Sequence, residues 1–143
     1  MTRALFIAIG NPHRGDDGVA HEVAAKIAGS GDTRSVVQLT PEVAADIVPY
    51  DVVVFIDADV SAAEVDIQEV GSHKVEQSLA RSSLTHTSTP AQIVELAKTL
   101  FGFSGRALIC QIPVSELFFG TGLSRKATAS AAQAVRKLGV ELG

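Results

Sequence analysis

Asp17, Asp57 and His86 are two carboxylates and an imidazole spread over a 143-residue chain. Together they form a hard-to-borderline donor set suited to Zn²⁺, Ni²⁺ or a similar cation, with positions left for water or substrate. Each has an ordinary explanation when taken singly. Asp57 closes the apolar run Val52-Val53-Val54-Phe55-Ile56, where a carboxylate is costly to desolvate unless paired or metal-bound, and Asp59 is an equal alternative by position. His86 alone reads as a surface or hydrogen-bonded loop residue. One of Asp16 and Asp17 is accounted for as a helix cap. A cap accounts less well for two in succession, and within Gly10-Asn11-Pro12-His13-Arg14-Gly15-Asp16-Asp17-Gly18 the Gly-Asn-Pro turn with Gly15 and Gly18 suggests a backbone that approaches a partner closely.

Other chemistries fit less well. The glycines do not follow G-x-G-x-x-G spacing, adjacent carboxylates would repel a pyrophosphate, and no Walker A loop is present. No serine sits in a G-x-S-x-G elbow, and Cys110 falls within an apolar strand as a small buried hydrophobe. His13, His21 and His73 have no spacing that suggests a second metal set, and they read as ordinary surface or hydrogen-bonded residues.

The elements that must position the three residues follow from the hydropathy pattern. Ala4 to Ile9 is an apolar run bounded by Gly-Asn-Pro, the pattern of a strand buried on both faces. Val19, Ala20, Val23, Ala24 and Ile27 recur at helical spacing, with Gly29 as a stop. A second strand is expected over 35–39, a short helix over 41–48, a buried strand over 52–56 and a half-exposed edge strand over 64–70. The polar stretch 71–87 reads as a loop with short structure at most. Thr89-Pro90-Ala91-Gln92 is a capping box opening a helix with Ile93, Leu96, Ala97 and Leu100 on its apolar face and Gly102 as its stop. A strand over 106–112 ends at Pro113. Ser124 then caps a last helix bearing Ala127, Ala131, Val135 and Leu138, with Gly139 after it.

This alternation predicts one α/β domain over 1–143: three layers, a mainly parallel twisted sheet of about five strands, helices on both faces, and a candidate antiparallel strand at one edge. Ligands of such sheets bind at the carboxyl ends of the strands, where segments 10–18, 57–59 and 85–87 would converge.

Composition sets the remaining bounds. Charged residues at 20% and hydrophobic residues at 46% suit a packed core, and aromatics at 5% make that core aliphatic. A net charge of −4, with twelve scattered Lys and Arg, argues against nucleic acid as a partner. The single Cys excludes an internal disulfide, and the N-terminal residues read as a first strand and not a signal peptide. No apolar run approaches a membrane span. A cytoplasmic monomer, with no membrane or nucleic-acid partner, is the expectation.

These segments resemble a known family. Gly10 through Gly18, Asp57-Ala58, and Thr85-His86 ahead of an amphipathic helix are similar to the three signatures of the hydrogenase maturation endopeptidases. Gln111-Ile112-Pro113, with Gly122-Leu123-Ser124 before the last helix, extends the likeness over nearly the whole chain. The resemblance implies a cytoplasmic protease that removes a C-terminal peptide from the large-subunit precursor of a nickel-iron hydrogenase after nickel is loaded. It implies Asp17, Asp57 and His86 as metal ligands, Asp17 or Asp57 as the base, and Gly10, Asn11, Asp16 and Thr40 on the substrate-binding side. The nickel would be presented by the substrate, with Zn or Cd as substitutes in vitro. The chain departs from the family after its second strand. Gln38-Leu39-Thr40-Pro41 stands where the family carries an acidic residue and glycines, which bears on substrate choice and on turnover. Two other readings are a non-catalytic metal- or partner-binding accessory domain and, on the shared Gly-Asn-Pro segment, a peptidyl-tRNA hydrolase-like enzyme.

Overall fold

Three runs of β-branched and aliphatic residues build the centre of the molecule. They are β1 (Ala4–Ile9), β3 (Val52–Asp59) and β5 (Arg106–Pro113), and their apolar side chains over 4–8, 52–56 and 107–110 are almost wholly withdrawn from solvent. The structure is a computed structural model that describes residues 2–70, 88–115 and 122–143. The expectations for 71–87, with His73 and His86 among them, lie outside the described residues.

Two further strands complete a five-stranded sheet: β2 (Asp32–Val36) and β4 (Asp66–Glu69), in the order β2-β1-β3-β5-β4. All pairings are parallel except that of β4 with β5, which is antiparallel at the edge, as the alternating 64–70 stretch suggested. From β1 the chain passes to one side to make β2 and then crosses to the other side of β1 to make β3. The carboxyl ends of β1 and β3 therefore flank the point where the winding reverses, and a crevice opens there in such sheets.

The two faces of the sheet bury different side chains because residues alternate along each strand. Ala4, Phe6, Ala8, Val52, Val54 and Ile56 pack against helices α1 (Val19–Ile27) and α4 (Arg125–Leu142). Leu5, Ile7, Val53 and Phe55 pack against α2 (Val43–Asp46) and α3 (Pro90–Phe101). This is the three-layer arrangement expected. The Cys110 thiol sits in the core of β5, and burial pushes its pKa up to about 12, which agrees with its reading as a buried hydrophobe.

The strand and helix limits differ from the sequence reading in places with clear physical causes. β2 lies three residues earlier than expected, because Asp32 to Ser35 are exposed and pair with β1 through the backbone alone. No apolar face betrays an edge strand of that kind. β3 runs on through Asp57 to Asp59, since its pairing with β5 continues to Asp59 opposite Pro113. Helix α2 is a single turn inside 41–48, and α1 passes into a 3₁₀ turn over Ala28–Ser30 that runs through Gly29 and ends at Gly31. Helix α4 continues past Gly139 to Leu142. On α3, Leu100 is exposed, and the buried face is Ile93, Val94 and Ala97.

The start of α3 follows its sequence signature closely. Gln92 N–H donates to Thr89 Oγ1 at 3.1 Å, Thr89 N–H donates to Gln92 Oε1 at 2.9 Å, and Gly102 closes the helix at φ 71°. Thr89→Ala should therefore cost about 1 kcal/mol of stability, measured as a lower urea midpoint with an unchanged slope. A change below the error of the melt would show that the cap contributes nothing.

Candidate functional site

The loop after β1 is wound tightly around one glycine. Gly10 N–H continues the sheet by donating to the Val36 carbonyl at 3.0 Å, and the backbone then turns at φ 138°. A Cβ on Gly10 would fall 2.1 Å from the Asp17 carbonyl oxygen and 3.2 Å from Asp17 Oδ1. Only glycine permits that approach. Asn11 N–H then donates to Asp17 Oδ2 at 2.8 Å, while the Asn11 side chain accepts from His13 N–H at 2.9 Å. A single 3₁₀ turn over Gly15–Gly18 carries Asp16 and Asp17 into α1.

Neither of these acids caps α1 through its side chain. They point to different partners. Asp17 is partly buried beside Gly10 and Asn11, at the carboxyl end of β1. Asp16 is almost fully buried at 3% exposure. Its Oδ1 accepts from Ser124 N–H at 2.7 Å, and its Oδ2 accepts from Ser115 N–H at 3.0 Å and from Ser124 Oγ at 2.6 Å. The expectation that Asp16 belongs to the substrate-binding side thus meets a different geometry. Its carboxylate ties the end of β5 to the N-cap of α4, the structural use expected of a buried acid with hydrogen-bond partners.

Asp57 lies one strand over. Register places Ala8 opposite Ile56, so Asp57 comes level with the end of β1, and it extends the face that carries Val53 and Phe55. Its carboxyl is pushed up to about 7, chiefly by burial; a hydrogen bond from the Ala58 backbone opposes the shift, and the negative charges of Asp17 and Asp59 add smaller raising contributions. The Asp17 charge reaches Asp57 because the 3₁₀ turn over Gly15–Gly18 lies against β3. Asp59 is separated from Asp57 by its use. Its Oδ1 accepts from Ser61 N–H at 2.9 Å and Ser61 Oγ at 2.6 Å, closing the turn after β3.

Among the described residues no three His, Cys, Asp or Glu side chains form a metal-binding group. The third member of the expected set, His86, lies outside them. What is described is the chain just beyond it. Ser88 N–H donates to the Leu39 carbonyl at 3.2 Å, beside the end of β2, and α3 then packs on the Asp57 face of the sheet. Thr40, the remaining expected contact, is partly buried, and its hydrogen bond with the Glu42 carboxyl is the main cause that holds Glu42 below the ordinary carboxylate range.

Two features escaped the sequence. Ser124 is readable as a helix cap but not as the partner of an acid 108 residues away, and Ser115, 99 residues from the same acid, carries no motif. His21 was readable only through its spacing. It stands four residues after Asp17, hence on the same helical face, and its Nε2 lies 2.6 Å from the Gly10 carbonyl oxygen.

No family model and no curated protein sequence matches the chain. Solved structures do match it. The NiFe hydrogenase maturation protease HybD from Thermococcus kodakarensis is 20% identical with a TM-score of 0.71, and the match covers 98% of each chain. The hydrogenase maturating endopeptidase HybD from E. coli is 15% identical with a TM-score of 0.71, over 98% of this chain and 91% of the other. An uncharacterized protein from Wolinella succinogenes is 24% identical with a TM-score of 0.63 over all of both chains. The chain has the fold of the hydrogenase maturation proteases. No described helix is long and apolar enough to cross a membrane.

Proposed function

We propose that the chain is an endopeptidase that removes a C-terminal peptide from a nickel-loaded nickel-iron hydrogenase large-subunit precursor, engaging the substrate's metal through Asp17, Asp57 and His86. The observation that carries this reading is the pair Asp17 and Asp57 at the switch point between β1 and β3, in a fold whose solved examples include named hydrogenase maturation proteases. Two neighbouring carboxylates, one with its proton affinity raised by burial, are poised for a cation. An incoming positive charge favours their ionised forms and offsets their mutual repulsion.

The metal here is part of the substrate. Binding it through fixed side chains places the adjoining peptide bond, and such placement accounts for much of the rate gain in hydrolysis. A carboxylate then takes a proton from water, the water oxygen adds to the scissile carbonyl carbon, and the C–N bond breaks as the leaving nitrogen receives a proton. Asp17 or Asp57 serves as that base, and the cation beside them keeps the carboxylate ionised and ready to accept the proton.

A second reading keeps metal binding without turnover. The Gln38-Leu39-Thr40-Pro41 segment favours it, because Thr40 is engaged with Glu42 of its own chain. One experiment separates the two. The full chain is incubated with nickel-loaded precursor, and with the same precursor stripped by chelation, and the released peptide is followed by mass spectrometry. Release from the loaded form alone is expected. Binding of loaded precursor without release selects the accessory role, and indifference to the precursor in both forms overturns the proposal.

A further inference from the structure

The peptide unit joining Gly10 to Asn11 is held from both ends. Its N–H, on Asn11, donates to Asp17 Oδ2 at 2.8 Å, and its carbonyl, on Gly10, lies 2.6 Å from His21 Nε2. A carbonyl oxygen only accepts, so Nε2 carries the proton in this contact. Asp17 and His21 are four residues apart on one face of the turn that leads into α1, and they grip a single peptide plane lying across that face. Gly10 has no side chain to keep them apart, and a Cβ there would collide with the Asp17 backbone.

We propose that His21 is a positioning residue for Asp17: by holding the Gly10 carbonyl, it keeps the Asn11 N–H aimed at Asp17 Oδ2 and so fixes which way the carboxylate faces. The proposal rests on the reading that Asp17 engages the substrate's metal, and it adds a residue to which the chemistry assigns no direct part. A donor on the carbonyl side also polarises the amide and strengthens the N–H bond to the carboxylate. Metal ligands are regularly oriented by a hydrogen bond of this kind, and loss of the orienting partner costs about 10- to 100-fold in affinity or activity. Without His21 the peptide plane is free to rotate, and Asp17 keeps its charge but loses its orientation.

Two substitutions divide orientation from mere folding. His21→Phe keeps a planar ring of similar shape and removes the donor, whereas His21→Gln returns an N–H₂ donor near the position of Nε2. In the ¹⁵N-labelled chain without metal, His21→Phe should move the Asn11 amide proton upfield as its bond to Asp17 weakens, and His21→Gln should return it toward the wild-type position. On nickel-loaded precursor, His21→Phe should raise KM by about 10-fold with a smaller change in kcat, and His21→Gln should recover most of that loss. An Asn11 amide unmoved in His21→Phe, or equally displaced in both variants, overturns the proposal. Failure of the wild-type chain to cleave would count against the proposed function, and the Asn11 resonance would then decide the role of His21 by itself.

Discussion

Asp57→Asn is expected to make the folded chain more stable at pH 8 by about 2–4 kcal/mol, and at the same pH to reduce precursor cleavage by at least about 100-fold. The two effects share one cause. Burial behind β3, with Asp17 and Asp59 nearby, raises the Asp57 carboxyl to about 7 from its ordinary value of 3.8. The folded state thus holds this proton more tightly than the unfolded chain does. Its contribution to stability is complete below about pH 4, where the group is protonated in both states, and is lost as pH rises through 7, where the native carboxyl must ionise against its surroundings. A shift of this size corresponds to about 4 kcal/mol at most, and the side chain's partial exposure to water argues for somewhat less. Asn carries no ionisable proton, so the advantage of the variant should be near zero at pH 4, grow through pH 5 to 7 and level off above. Chemical denaturation at each pH gives this curve directly. A flat difference between variant and parent across that range would mean that Asp57 is well solvated, and the case for its role as a base would lose its physical support.

A gain in stability on removing a group argues that the group is retained for something other than folding. The sequence draws attention to the end of β3 for the same reason, with Asp57 and Asp59 equal by position. A charge at the end of Val52-Val53-Val54-Phe55-Ile56 is a visible conflict between a buried strand and a polar side chain, and such conflicts mark functional positions. The buried strands β1, β3 and β5 were legible as apolar runs, and the capping box at Thr89 fixed the start of α3 to the residue. β2 was misplaced because its residues Asp32-Thr33-Arg34-Ser35-Val36 show no buried face, and its position is set by backbone pairing with β1. The division of labour between Asp16 and Asp17 was not legible at all. Adjacent carboxylates look alike in a sequence. What separates them is a 3₁₀ turn that sends one side chain toward Ser115 and Ser124 and the other toward Asn11. His21 was passed over for a related reason: its partner is a backbone carbonyl, which no residue type announces.

Asp16→Ala, in contrast to Asp57→Asn, should destabilise the protein, by about 2–4 kcal/mol. Among the described residues Asp16 accepts hydrogen bonds from Ser124 N–H, Ser124 Oγ and Ser115 N–H, at 2.7, 2.6 and 3.0 Å. A hydrogen bond to a charged group contributes about 1.5–3 kcal/mol. The sum is reduced because Ser115 is exposed and water can reach its amide once the carboxylate is gone. Ser124 also caps α4, its Oγ accepting from Ala127 N–H at 3.1 Å, so the acid fixes the hydroxyl that fixes the helix start. Asp16→Asn should recover only part of the loss. Its single carbonyl oxygen replaces one acceptor, and its NH₂ is brought against an N–H that also donates. Ser124→Ala should cost about 1–2 kcal/mol alone, and less in the Asp16→Ala background, a coupling that a double-mutant cycle reads in denaturant melts. Were Asp16 instead a contact to the substrate peptide, both Asp16 variants would melt like the parent and differ from it only in KM. The burial of the carboxylate predicts the reverse order of effects, because the tie joins the turn bearing Asp17 to the end of β5 and the start of α4. Any loss of cleavage in Asp16→Asn should then shrink when the assay is moved to a temperature well below its melting midpoint.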